Sequence, residues 1–327
     1  MNLQTKYMGL TLKNPIIIGS SSLTNSVESI KKLANNNAGA VVLKSLFEEQ
    51  IINEINKPEN SNLYNYPESI DYIRHYTREQ NISNYLKLIE DSKKAVDIPI
   101  IASINCISDK EWIAFAKRIE DAGADALELN VSILPSDFSK SSEENESVYF
   151  NIVEKLKSVI SIPLSLKMTR YSAGLAQLIQ KLSWTKKVDA FVLFNRYYNP
   201  DIDIEKMEVV SSNVFSTAEE ISVSLRWIAL LSNDVKCDFA ATTGIHNGEG
   251  VIKQILAGAK TVQIVSSIYK NGPEYISTIL NDVEKWMKNK NFNSLDDFRG
   301  KMSDKKEKHA ADFERIQFMK YFGGVKK

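Results

Sequence analysis

Apolar runs, each closed by a polar residue, recur along this chain and alternate with stretches of helical period. PIIIGSS, AVVLKS, IPIIASIN, ALELNVS, PLSLKM, AFVLFN, FAATTG and TVQIVSS read as strands one to eight. Near-continuous apolar strands belong to parallel sheets covered on both faces. The apolar period predicts helices at 25–36, 83–96, 109–121, 145–159, 172–185, 217–231, 248–257 and 273–289. Ala38-Gly39-Ala40, Ala122-Gly123-Ala124 and Ala257-Gly258-Ala259 are expected to end helices through a left-handed glycine. Strand–helix alternation with right-handed crossovers predicts a (β/α)8 TIM barrel. A doubly wound sheet is the competing fold, but PIIIGSSSLTN lacks its glycine-rich first turn.

The barrel is assigned to residues 1–302 and a helical tail to 303–327. Three connections are long, at 47–82, 133–144 and 196–216, and all fall at the carboxyl ends of strands, where barrels build active sites. The polar segment SILPSDFSKSSEENES reads as a lid.

Lys plus Arg and Asp plus Glu are equal at 41, so no global field selects nucleic acid or an anionic membrane. No apolar stretch reaches the ~18 residues of a membrane span. The start MNLQTKYMGLTLKNP lacks the pattern of a secretory leader, and a cytoplasmic protein is expected. Cys106 and Cys237 are too few for a disulfide framework, and no Cys/His spacing supports a metal site.

The strand tips are Lys44, Asn105, Asn130, Lys167, Asn195, Thr243 and Ser266. Thr243-Gly244 and Ser266-Ser267 stand where loops after strands seven and eight of this fold often bind phosphate. Ordinary turn chemistry is the alternative. Lys44 and Lys167 converging on one mouth would stabilise an anion or charge developing on a cofactor ring. Three asparagines suit a planar, amide-rich ring, because an amide pairs donor and acceptor. His246 is expected to make a loop or phosphate-side contact, His75 to be a surface residue and His309 to lie in the tail.

The chain resembles the dihydroorotate dehydrogenase family. Carrying the resemblance are Asn14-Pro15, Gly19-Ser20-Ser21, Val42-Leu43-Lys44-Ser45, Glu128-Leu129-Asn130-Val131-Ser132 and Leu166-Lys167. Thr243-Gly244-Ile245, Ala257-Gly258-Ala259, Val262-Gln263-Ile264 and Phe298-Arg299-Gly300-Lys301 extend it over residues 3–301. It looks closest to the soluble branch. The resemblance implies an FMN enzyme, a homodimer, that oxidises (S)-dihydroorotate to orotate in pyrimidine (UMP) synthesis. FMN would be held by Ser20, Ser21, Lys44, Ser45, Asn105, Asn130 and Lys167, with its phosphate on Thr243, Gly244, Ser266 and Ser267. Lys44, Asn130 and Asn195 would bind substrate, and Arg196 is expected to grip its carboxylate, the alternative being a pair with Asp201 or Asp203.

Departures from the family are specific. In the soluble branch the strand-four motif continues Asn-x-Ser-Cys-Pro-Asn, with the cysteine as base. Here Ile133 occupies the base position and Pro135 replaces the second asparagine. Ser132, Ser136, Ser139 and Tyr171 are the substitute candidates, and the catalytic base is unassigned. The family's glycine-rich loop after strand six is missing from Ser211-Ser212-Asn213-Val214-Phe215. The alternatives are another cyclic-amide substrate and a non-catalytic FMN- or phosphate-binding barrel.

Overall fold

A computed structural model describes residues 1–48, 51, 82–108, 113–197, 200–211 and 214–303. Eight parallel strands close into a barrel: β1 (Ile16–Ile18), β2 (Ala40–Val42), β3 (Ile100–Cys106), β4 (Ala126–Val131), β5 (Leu164–Met168), β6 (Ala190–Leu193), β7 (Asp238–Thr242) and β8 (Thr261–Ile264). Pairing of β8 with β1 and of β2 with β3 completes the ring. The predicted (β/α)8 fold is the observed one.

The helices are α1 (Val27–Asn35), α2 (Ile82–Ala95), α3 (Ile113–Asp121), α4 (Ser142–Lys157), α5 (Leu175–Trp184), α6 (Ile221–Leu231), α7 (Gly248–Ala257), α8 (Ser266–Asn271) and α9 (Tyr275–Asn289). The short α8 was not expected from the period, because six residues make fewer than two turns. Most of the first long connection, 47–82, with His75, and the tail beyond residue 303, with His309, lie outside the described residues.

Strand residues sort by parity, as a pleat requires. Leu127, Leu129, Leu164, Leu166, Phe191 and Phe239 face the helices, whereas Ile17, Val42, Ile101, Ala126, Val192 and Ala240 fill the barrel floor. Beneath them sits a hairpin of Thr5–Tyr7 against Leu10–Leu12, whose Tyr7, Met8 and Leu12 join the inner cluster. Its two-residue turn has positive φ at both Met8 (52°) and Gly9 (76°), matching the twist of the strands. The Met8 amide donates to Asp238 Oδ2 at 2.8 Å, tying the plug to the start of β7. Arg299 fastens the carboxyl side: it donates to Thr5 Oγ1 at 3.0 Å and to the Ala259 carbonyl.

One of the three glycine expectations is corrected. Gly123 (φ 93°) and Gly258 (φ 117°) are left-handed as predicted, but after α1 that conformation falls on Asn37 (φ 70°). Gly39 instead serves close packing, because a Cβ there would lie 2.4 Å from the Asn14 carbonyl oxygen. The third long loop also departs from expectation, forming a hairpin of Pro200–Asp203 against Glu208–Ser211. Ile202 pairs with Val209 on one face, and both side chains stand largely in solvent, 64% and 78% exposed.

Candidate active site

Above the apolar floor the barrel interior turns polar. Ser103, Glu128 and Ser165 form one register layer of β3, β4 and β5, and Asn105, Asn130 and Lys167 form the next. Each residue of the upper layer is two positions beyond one of the lower, so both sets face inward. Lys44 follows β2 and is half-buried, and Asn195 follows β6, its amide donating to the Met168 carbonyl at 2.8 Å. The expected mouth residues therefore come from consecutive strands and meet at one end.

Hydroxyl groups organise the first three strand ends. Ser20 Oγ lies 3.0 Å from Ser45 Oγ and accepts from the Ser45 amide at 2.9 Å. Ser45 Oγ lies 2.7 Å from Ser103 Oγ, and Tyr85 brackets Ser103 by accepting from its amide at 2.8 Å and donating to its carbonyl at 3.1 Å. Ser21 caps the following turn, accepting from Leu23 N at 3.3 Å. Glu48, missed in the sequence, is buried and accepts from the amides of Ile107 (2.7 Å) and Ser108 (2.9 Å), fixing the chain as it leaves β3.

Across the mouth, the Lys167 ammonium donates to Gln263 Oε1 at 3.3 Å and pairs with Glu128 Oε1 at 3.5 Å. Gln263 Nε2 donates to the other Glu128 oxygen. Glu128 is 1% exposed, so this cation stands on a buried carboxylate. Asn130 Oδ1 is buried beside it without a hydrogen-bond partner among the described residues.

After β7 the backbone makes two successive left-handed residues, Thr243 (φ 72°) and Gly244 (φ 77°). Ser266 begins α8, and its Oγ accepts from the Ser216 amide at 3.0 Å. Ser216 Oγ lies 3.1 Å from His246 Nε2, and Lys270 Nζ reaches the Ser216 carbonyl at 3.5 Å. Ser267 Oγ is buried and unpaired within the described residues. Thr243, Gly244, Ser266 and Ser267 thus lie at adjacent strand ends, with Lys270 added. Lys270 was legible in principle: four residues after Ser266, it shares that face of α8. Burial lowers the His246 pKa, and the Lys270 charge lowers it further.

Arg196 and the lid residues have partners of their own. Arg196 pairs with Glu220 rather than with Asp201 or Asp203. Its Nε pairs with Glu220 Oε1 at 3.0 Å, and its other nitrogens donate to the carbonyls of Val214 (3.0 Å) and Phe215 (3.3 Å). The guanidinium fork therefore braces the segment that carries Ser216. At the lid, Ile133 packs against the core, and the Ser132 amide bonds the Cys106 carbonyl at 3.0 Å. Ser136 and Ser139 are both exposed, and Ser139 donates from Oγ to Asp137 Oδ1 at 2.6 Å. That bond and the Ser139 amide hold the Asp137 carboxyl below its usual range. Tyr171 packs edge-on against Tyr197, ring centres 5.7 Å apart, on the β5–β6 side.

The sequence profile of dihydroorotate dehydrogenase matches residues 2–287. The chain belongs to the dihydroorotate dehydrogenase family. It is 25% identical over 308 residues to the catalytic subunit of dihydroorotate dehydrogenase B (NAD(+)) of Thermoplasma acidophilum, covering 91% of this chain and 98% of that protein. The corresponding Methanocaldococcus jannaschii subunit is 25% identical over 88% of this chain and 94% of its own length. A putative dihydroorotate dehydrogenase A (fumarate) of Aeropyrum pernix is 26% identical over 65% of this chain and 71% of its own.

Among the described residues no helix is long and apolar enough to cross a membrane.

Proposed function

We propose that this protein is an FMN-dependent oxidoreductase that oxidises (S)-dihydroorotate to orotate for pyrimidine (UMP) synthesis in the cytoplasm. The observation that carries the proposal is the upper register layer, Asn105, Asn130 and Lys167, backed by the Glu128–Gln263 support. The site suits FMN: two buried polar atoms, Asn130 Oδ1 near the proposed ring end and Ser267 Oγ near the proposed phosphate end, have no hydrogen-bond partner among the described residues. Buried polar atoms generally have partners, so both suit ligand contacts.

FMN, when bound, supplies a hydride acceptor for the substrate carbon. Lys167 would hold positive charge at its pyrimidine edge, with Ser20, Ser21, Lys44 and Ser45 lining the opposite side. Thr243, Gly244, Ser266, Ser267 and Lys270 would hold the phosphate, and Lys44, Asn130 and Asn195 would orient the substrate ring. The remaining task is to accept the C5 proton, and Ile133 has no atom for it. Ser139 is the better of the lid serines, because its hydroxyl already donates to a carboxylate that can take the proton onward. Asp137, held below its usual range, is a weak acceptor.

Slow turnover follows, below the ~10 per second of typical enzymes, because a positioned base contributes ~100- to 10,000-fold. Ser139→Ala should lower orotate formation further, and Ser136→Ala should leave it unchanged. Equal rates in both variants would remove the Ser139–Asp137 relay. For Arg196→Ala, binding of dihydroorotate should change little while flavin retention weakens about tenfold, the scale of one charged hydrogen bond. A selective loss of dihydroorotate affinity would restore Arg196 to the substrate.

The same proposal includes a homodimer and an electron-transfer partner. An isolated two-stranded hairpin is marginal in water, and Ile202 and Val209 offer an apolar face for a second copy. The similarity to catalytic subunits of NAD(+)-linked dihydroorotate dehydrogenase B supports a partner subunit that passes electrons to NAD. Extraction and mass analysis of flavin from the purified protein tests the cofactor. A colourless protein that cannot be reconstituted with FMN would leave a barrel that binds a phosphate ligand without redox turnover.

A further inference from the structure

Glu128 lies in the floor of the mouth and has no part in the binding or proton transfer proposed for this site. It points inward from β4, two residues below Asn130, and is 1% exposed. An ionised carboxylate at such depth is strongly unfavourable unless it is paired and hydrogen-bonded. Both conditions are met from other strands, by Lys167 from β5 at 3.5 Å and by Gln263 from β8. Because β8 does not neighbour β4, Gln263 reaches across the barrel interior to close the triangle. Its amide is oriented by chemistry on both sides, the nitrogen donating to Glu128 and the oxygen accepting from Lys167 at 3.3 Å. The Glu128 charge is felt further down the axis: Tyr7, in the plug, has its pKa raised well above the usual phenol range, by burial and then by Glu128. An ammonium has three donors, and two of those on Lys167 are taken from below.

We propose that Glu128, aligned by Gln263, is a positioning residue that aims Lys167 at the mouth and sets how much positive field a bound ring meets there. The inference rests on the FMN reading for what that ring is. Glu128 stabilises the ammonium in place and at the same time cancels part of its charge. Removing the carboxylate while keeping the shape should therefore expose the cation more fully to the ring.

The test is the reconstituted FMN protein and its Glu128→Gln variant, compared by flavin midpoint potential and by affinity for sulfite. Sulfite adds to oxidised flavin and leaves negative charge on the pyrimidine edge, so it reports the local field without substrate turnover. Glu128→Gln should bind sulfite about tenfold more tightly and shift the potential positively by ~30 mV, the two-electron equivalent of tenfold. A carboxylate that only props up the fold would lower the melting temperature and leave both readouts unchanged, which would overturn the proposal. A second comparison needs no flavin. Lys167→Met should lower the melting temperature by stranding Glu128, and adding Glu128→Gln to it should recover part of the loss. Absence of that recovery would refute the pairing. Failure of the wild-type protein to take up FMN would sink the functional reading, while this stability comparison would still judge the pair.

Discussion

Lys167→Met is expected to reduce the rate of dihydroorotate oxidation by ~100-fold or more, the usual loss when one preorganised electrostatic group is removed from a site. It should also weaken the fold. Lys167 is the cation paired with Glu128, and removing one partner of a buried pair costs about 3–5 kcal/mol because the other charge is left unpaired. The two effects have separate readouts, single-turnover reduction of the flavin and thermal unfolding of the protein before FMN is added. A variant with a normal rate and normal flavin content would take Lys167 out of the site. One with a normal melting temperature would contradict the pairing of Lys167 with Glu128.

The second large effect is expected at Gly244. With φ at +77° it occupies a conformation that L side chains resist, and a Cβ there would lie 2.1 Å from the Ile221 amide nitrogen. The clash is with backbone at the start of α6, which cannot swing aside as a side-chain end could. Left-handed strain alone costs about 1–3 kcal/mol, and the overlap adds to it. Gly244→Ala should therefore unfold at a markedly lower temperature and lose FMN, because α6 and the Thr243–Gly244 turn must separate. Near-normal melting together with normal flavin retention would contradict the packing described here.

How much of this was legible in the chain depended on which physical signal each part carries. Strands buried on both faces announce themselves as apolar runs, and their polar tips mark the mouth, so Lys44, Asn105, Asn130 and Lys167 could be placed from sequence. The hairpin at Pro200–Asp203 and Glu208–Ser211 could not, because Ile202 stands between two aspartates and, with Val209, faces solvent rather than a core. Glu128 was visible only as part of a motif. Its function depends on Gln263, which is 135 positions away and reaches it through the closed barrel. The partner of Arg196 was missed for a similar reason: Glu220 lies 24 residues on, across a loop, whereas Asp201 and Asp203 are neighbours only in sequence. Gly39 shows the opposite error. Its helix-ending context was correct, but Asn37 already takes the left-handed position, and the glycine is needed for its close approach to Asn14.

Anaerobic mixing of the FMN-loaded protein with dihydroorotate tests the central claim most directly. The visible absorption of the flavin should bleach slowly and to completion, with one orotate formed per flavin reduced. A flavin that stays oxidised with dihydroorotate, yet is reduced at once by dithionite, would contradict the assignment and point to a different cyclic-amide substrate for the same scaffold.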